Sequence, residues 1–81
     1  MRFEFKAGRD RDVYVAGSFN GWNQKKNKLK PRDGRYAATV LLPKGKHEYK
    51  FVVNNTWQVD PECQEWTTNG VGSLNSIVTV R

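Results

Sequence analysis

One cysteine, Cys63, stands among 81 residues, so no internal disulfide can staple the fold. With a single histidine, His47, beside it, the chain has no Cys/His spacing for a zinc site, and no metal or cofactor is implied. No run approaches the roughly 18 consecutive apolar residues of a membrane span. The start, Met1-Arg2-Phe3-Glu4-Phe5-Lys6, carries charges every second residue and lacks the apolar stretch of a secretory signal. Together with the lone thiol, these features give the expectation of a cytoplasmic protein with no membrane partner. A sustained 3.6-residue apolar period is also missing, which excludes a helical bundle. Acidic residues are scarce, 8 against 14 Lys and Arg, leaving a net charge of +6.

What is present is a series of short alternating segments divided by turn residues. Arg2–Ala7 places Phe3 and Phe5 on one face, and Val13–Gly17 places Val13 and Val15 on one face. Tyr36–Leu42 is rich in β-formers. Glu48–Val53 sets Tyr49, Phe51 and Val53 against Glu48, Lys50 and Val52. Thr56–Val59 and Asn75–Val80 complete the set. Gly8 to Arg11, Asn20-Gly21, Asp33-Gly34, Pro43 to Lys46, Asn54-Asn55 and Asp60-Pro61 punctuate them. Glu62–Leu74 shows no strand pattern. The expected fold is all-β, an immunoglobulin-like sandwich of about seven short antiparallel strands, with residues 1–81 as one domain. A chain this short buries only about 60% of its unfolded surface, so the core is thin.

The positive charge is concentrated. Lys25, Lys26, Lys28, Lys30 and Arg32 fall in one stretch that also holds Asn27 and Pro31, and it reads as a solvated loop. An anionic partner is the alternative reading of the same residues, because basic β domains with aromatics can stack bases. A single-stranded nucleic-acid module or a protein-interaction module using Lys25–Arg32 is therefore the alternative function. Against nucleic acid, the glycine-containing signature of RNA-recognition sheets is absent, and Lys46-His47-Glu48-Tyr49-Lys50-Phe51 is the nearest stretch.

The three tryptophans are many for so small a core. Trp22 directly follows the Asn20-Gly21 turn, and Trp57 opens a short strand after Asn54-Asn55, both among polar neighbours. Burial is hard to arrange at such strand ends, so both read as exposed aromatic platforms. An indole face suits the C–H face of a pyranose, through apolar burial, dispersion and the ring quadrupole. Sugar hydroxyls then need fixed polar partners, and Lys50, Gln58 and Asn75 supply amide and ammonium groups. Lys50 points away from the face that carries Tyr49 and Phe51. Glycosidase chemistry would need two carboxylates about 5–9.5 Å apart beside a cleft. Asp60, Glu62 and Glu65 share no motif, and His47 has no nucleophile beside it. The expectation is a binding module, not an enzyme, with no catalytic residues.

Val13-Tyr14-Val15-Ala16-Gly17-Ser18-Phe19-Asn20-Gly21-Trp22 resembles the opening strand and turn of family-48 carbohydrate-binding modules. That family includes the glycogen-binding domain of AMP-activated kinase β subunits and the N-terminal domains of isoamylases and branching enzymes. Three further blocks follow in register: Leu42 to Val53, Trp57-Gln58-Val59-Asp60-Pro61, and Asn69 to Ile77. The resemblance implies an α-1,4-glucan site (glycogen, starch or malto-oligosaccharide) formed by Trp22, Lys50, Trp57 and Asn75. It also implies a loop residue, Val71, that enters the bend of the glucan, and a hydroxyl, Ser73, two positions on. Val71 is smaller than the leucine or phenylalanine often found there. The implied partners are an α-glucan and an attached or associated glucan-metabolising enzyme or kinase assembly. Trp66 has no counterpart in the family pattern and is expected to lie as a lid on the sandwich.

Overall fold

The computed structural model describes residues 1–8, 10–68 and 73–81. Nine strands are present among them: β1 (Arg2–Lys6), β2 (Val13–Gly17), β3 (Asn27–Lys28), β4 (Lys30–Arg32), β5 (Arg35–Thr39), β6 (Gly45–Val53), β7 (Thr56–Gln58), β8 (Trp66–Thr68) and β9 (Leu74–Val80). They form two antiparallel sheets. The smaller has the order β1-β5-β4, and the larger β3-β2-β6-β9-β8, with β7 paired to β6. One 3₁₀ turn, Ser18–Asn20, follows β2. Among the described residues no helix is long and apolar enough to cross a membrane.

The two sheets close on a core that the alternation sets out directly. Phe3 and Phe5 of β1 and Tyr36 of β5 meet Val13, Val15, Tyr49, Phe51 and Val53 of the larger sheet. The rings pack edge-on or tilted, Phe3 on Tyr49 and Phe5 on Phe51, each at 4.9 Å between centroids, as aromatic quadrupoles favour. The Tyr49 hydroxyl donates to Asp60 Oδ2 at 2.7 Å, and burial first, then this bond, pushes the phenol well above its ordinary range.

Several sequence expectations need correction. The basic stretch is not a loop throughout, since it contains β3 and β4. Leu29, fully buried, lies between them, where the chain passes from the larger sheet to the smaller. Strands of two and three residues with outward lysines carry too little apolar signal to register. Pro31 is tolerated because β4 is an edge strand. The stretch Glu62–Leu74 likewise holds β8, whose Trp66 stands opposite Ser76. β5 ends at Thr39 instead of Leu42, and β6 begins at Gly45 instead of Glu48. Asp33-Gly34 and Asn54-Asn55 do form tight hairpins, with positive φ at all four residues, as the inverse turns that match strand twist require.

Candidate functional site

The outward face of the larger sheet carries an open groove of about 740 Å³. Its lining includes Trp22, Lys50, Trp57, Ser73 and Asn75, five of the residues singled out in the sequence. Val71 lies outside the described residues. Ser18, Glu48 and Thr68 also line the groove, and the sequence reasoning missed all three. Glu48 was within reach, because it shares a strand face with Lys50 by simple alternation. Thr68 fell in the stretch read as patternless.

Each platform is placed by a turn. Trp57 lies opposite Val52 just past the Asn54-Asn55 hairpin, and its indole is 42% exposed. Trp22 follows the 3₁₀ turn, and both Gly21 and Trp22 have left-handed backbone, at φ 67° and 60°. That conformation is rare for a bulky residue. It is held from both sides: Trp22 N–H donates to the Gly17 carbonyl at 2.9 Å. The Asn20 side chain accepts from Gly17 N–H at 3.0 Å and donates to the Val15 carbonyl at 3.1 Å and to Asn27 Oδ1 at 2.7 Å. Asn20 thus positions Trp22 besides making the turn. The half-buried Trp22 and the exposed Trp57 stand 6.5 Å apart between ring centroids, with planes inclined at 47°.

The polar floor is tied together by its own hydrogen bonds. Lys50 Nζ is hydrogen-bonded to Ser73 Oγ. Asn75 is only 4% exposed, and its amide donates to Glu48 Oε1 at 3.0 Å. Glu48 N–H in turn donates to Ser18 Oγ at 3.2 Å. Fixed donors and acceptors between two inclined indoles can hold the rim of a sugar while its C–H face lies on a ring. Gln58 does not join them. It lies opposite Phe51 and lines a separate hollow with Phe5 and Thr56, because neighbours along a strand point to opposite faces.

Over residues 1–81 the chain matches the sequence pattern of the glycogen recognition site of AMP-activated protein kinase. The chain belongs to this family. Its similarity to individual members is spread over most of its length. It is 36% identical over 74 residues to the β-1 subunit of 5'-AMP-activated protein kinase from Sus scrofa, covering 91% of this chain and 58% of that sequence. The human β-1 subunit is also 36% identical over 74 residues, with 26% of that sequence covered. The mouse β-2 subunit is 34% identical over 71 residues, 88% of this chain and 26% of that one. The chain therefore spans from about a quarter to just over half of these relatives.

Trp66 departs from the expectation of a lid. Its indole is 58% exposed and borders a small apolar hollow with Val59, Cys63 and Leu74, at the β8 edge of the larger sheet. The three carboxylates that cluster in sequence are each tied elsewhere: Asp60 to Tyr49, Glu62 to Arg35 and Glu65 to Lys46. Among the described residues no three His, Cys, Asp or Glu side chains lie together so as to hold a metal.

Proposed function

We propose that residues 1–81 act as one binding unit that holds glycogen and related α-1,4-glucans, including starch and malto-oligosaccharides, without transforming them. The observation that carries this reading is the 47° inclination of the Trp22 and Trp57 indoles across a groove floored by Lys50, Ser73 and Asn75. Two sugar rings stacked on such planes must turn relative to each other. An α-1,4 chain curves and so supplies that turn, whereas a straight β-1,4 chain does not. Stacking of pyranose faces on both indoles is the attractive contact, and Lys50, Asn75 and Ser73 meet the hydroxyl rim. Val71 is assigned to the bend of the glucan by its place in the family pattern.

The reading is non-catalytic because the groove is open and Glu48, the one carboxylate that lines it among the described residues, is engaged with Asn75. Among the described residues no second carboxylate lines the groove to serve as an acid–base partner. The binding unit would act in the cytoplasm by bringing an attached or associated glucan-metabolising enzyme, or a kinase assembly, to the polysaccharide. A shallow site of this kind gives a Kd on the order of 10⁻⁵ to 10⁻³ M for maltoheptaose. Because the ligand is neutral, affinity should hardly change with salt, whereas nucleic-acid binding would fall steeply. Titration of maltoheptaose and of a single-stranded oligonucleotide at two salt concentrations tests both readings.

A further inference from the structure

The net charge of +6 has no use in a site for a neutral sugar, and the strand register shows where much of it goes. On the smaller sheet, Phe3, Phe5 and Tyr36 turn inward, so the alternate residues turn out. The outward rows read Arg2 and Thr39; then Glu4, Ala37 and Lys30; then Lys6, Arg35 and Arg32. Five cations and one carboxylate share this face. On it an open groove of about 580 Å³ lies between Arg2, Lys28, Lys30 and Arg32, lined also by the small side chains of Ala37 and Thr39. Lys28 is paired with Asp12 at 3.5 Å, but Lys30 and Arg32 make no ion pair among the described residues.

We infer that the outward face of the smaller sheet, centred on Lys30 and Arg32, docks an acidic segment of a protein partner while the opposite face remains open to glucan. The face already receives the chain's own carboxylates. Glu4 lies within 2.8 Å of Arg2 and 3.9 Å of Arg35. Glu62, arriving from the connection between β7 and β8, places its two oxygens 3.1 and 3.4 Å from the two terminal nitrogens of Arg35. This fork-on-carboxylate geometry is the one arginine offers to Asp and Glu. Along each strand the outward side chains repeat at about 6.6–6.8 Å, the repeat of an extended peptide with a carboxylate at every second residue. Nucleic acid fits less well. The outward rows hold no aromatic on which bases could stack.

The test uses a fluorescent dodecamer of glutamate, a dodecamer of thymidylate, and two variants of equal net charge. K30E/R32E reverses the proposed face, and K25E/K26E reverses two exposed lysines in the turn before β3, in the larger sheet. The glutamate peptide is expected to bind the parent with salt-sensitive affinity, and K30E/R32E to weaken it by about tenfold or more. K25E/K26E should change it by less than about threefold, since those charges stand outside the face. Saturating maltoheptaose should not displace the peptide. The neutral K30Q/R32Q variant repeats the measurement should the reversed one melt at lower temperature. Equal weakening by both reversals would overturn the inference, because only net charge would then be at work. Tighter binding of thymidylate than of glutamate would overturn it in favour of nucleic acid. Loss of glucan binding by the parent would leave this inference standing and remove the function proposed above.

Discussion

Replacing Gly17 by alanine puts a methyl group where three atoms already stand. An added Cβ would lie 2.4 Å from the Glu48 carbonyl oxygen, 2.5 Å from Phe19 Cε2 and 3.0 Å from Tyr49 Cβ. The backbone there is extended, at φ −167°, so the whole cost is steric. The Glu48 carbonyl belongs to β6, which is paired along both edges, so it cannot retreat. The Ser18–Trp22 turn has to move instead. Overpacking of this kind costs about 1–3 kcal/mol, against roughly 4–12 kcal/mol of total stability for a domain of this length. The melting temperature should fall by about 5–20 °C. Because the displaced turn carries Trp22, maltoheptaose affinity should fall as well, although Gly17 does not line the groove. Circular-dichroism melts and a glucan titration on the same sample read both effects. A G17A protein with unchanged melting temperature and unchanged affinity would refute the claim that close packing at Gly17 sets the position of Trp22.

Asn20→Ala removes three hydrogen bonds from the same turn and should cost about 1–3 kcal/mol, read by chemical denaturation, with weaker glucan binding. Unchanged stability would show that the turn holds without its amide. Asn75→Ala should lower both stability and affinity, because the buried amide is bonded to Glu48; a variant that loses affinity alone would place its role wholly on the ligand. Trp66→Ala should leave stability within about 0.5–1 kcal/mol, as an exposed side chain does; a large loss would restore the lid. The hydrogen bond from Arg35 holds the Glu62 carboxyl below its ordinary pKa. The stabilisation this gives is present above the unfolded-state value and is lost as pH falls through the lower folded one. An NMR titration should show Glu62 returning upward in Arg35→Ala, and an unmoved value would discount the pair.

The alternation of aromatic and charged residues in β1 and β6 made the core legible, because side chains there follow the period of two without interruption. Phe3, Phe5, Tyr49, Phe51 and Val53 all face inward together. The groove was legible for a related reason: Lys50 sits out of phase with Tyr49, and both tryptophans flank turns. Nothing local revealed β3 and β8, which are two and three residues long and owe their pairing to residues across longer connections, whereas β4 lies just before the Asp33-Gly34 turn to its partner β5 but is too short to show an alternation. The burial of Asn75 was hidden in the same way, since it depends on Glu48, 27 residues away. Gln58 was misplaced by proximity in sequence, which ignores that Trp57 and Gln58 must leave the strand on opposite faces.

Inclined indoles recognising a curved glucan are the centre of the account, and a fluorescence titration of maltoheptaose against the parent, Trp22→Ala and Trp57→Ala tests them most directly, with cellohexaose as comparison. The parent should bind maltoheptaose in the range given above and cellohexaose far more weakly. Each tryptophan variant should remain folded and lose about 1–3 kcal/mol of maltoheptaose binding, by analogy with stacking of bases on aromatics. A folded variant lacking either indole that binds maltoheptaose as tightly as the parent, or a parent that binds cellohexaose equally well, would contradict the account.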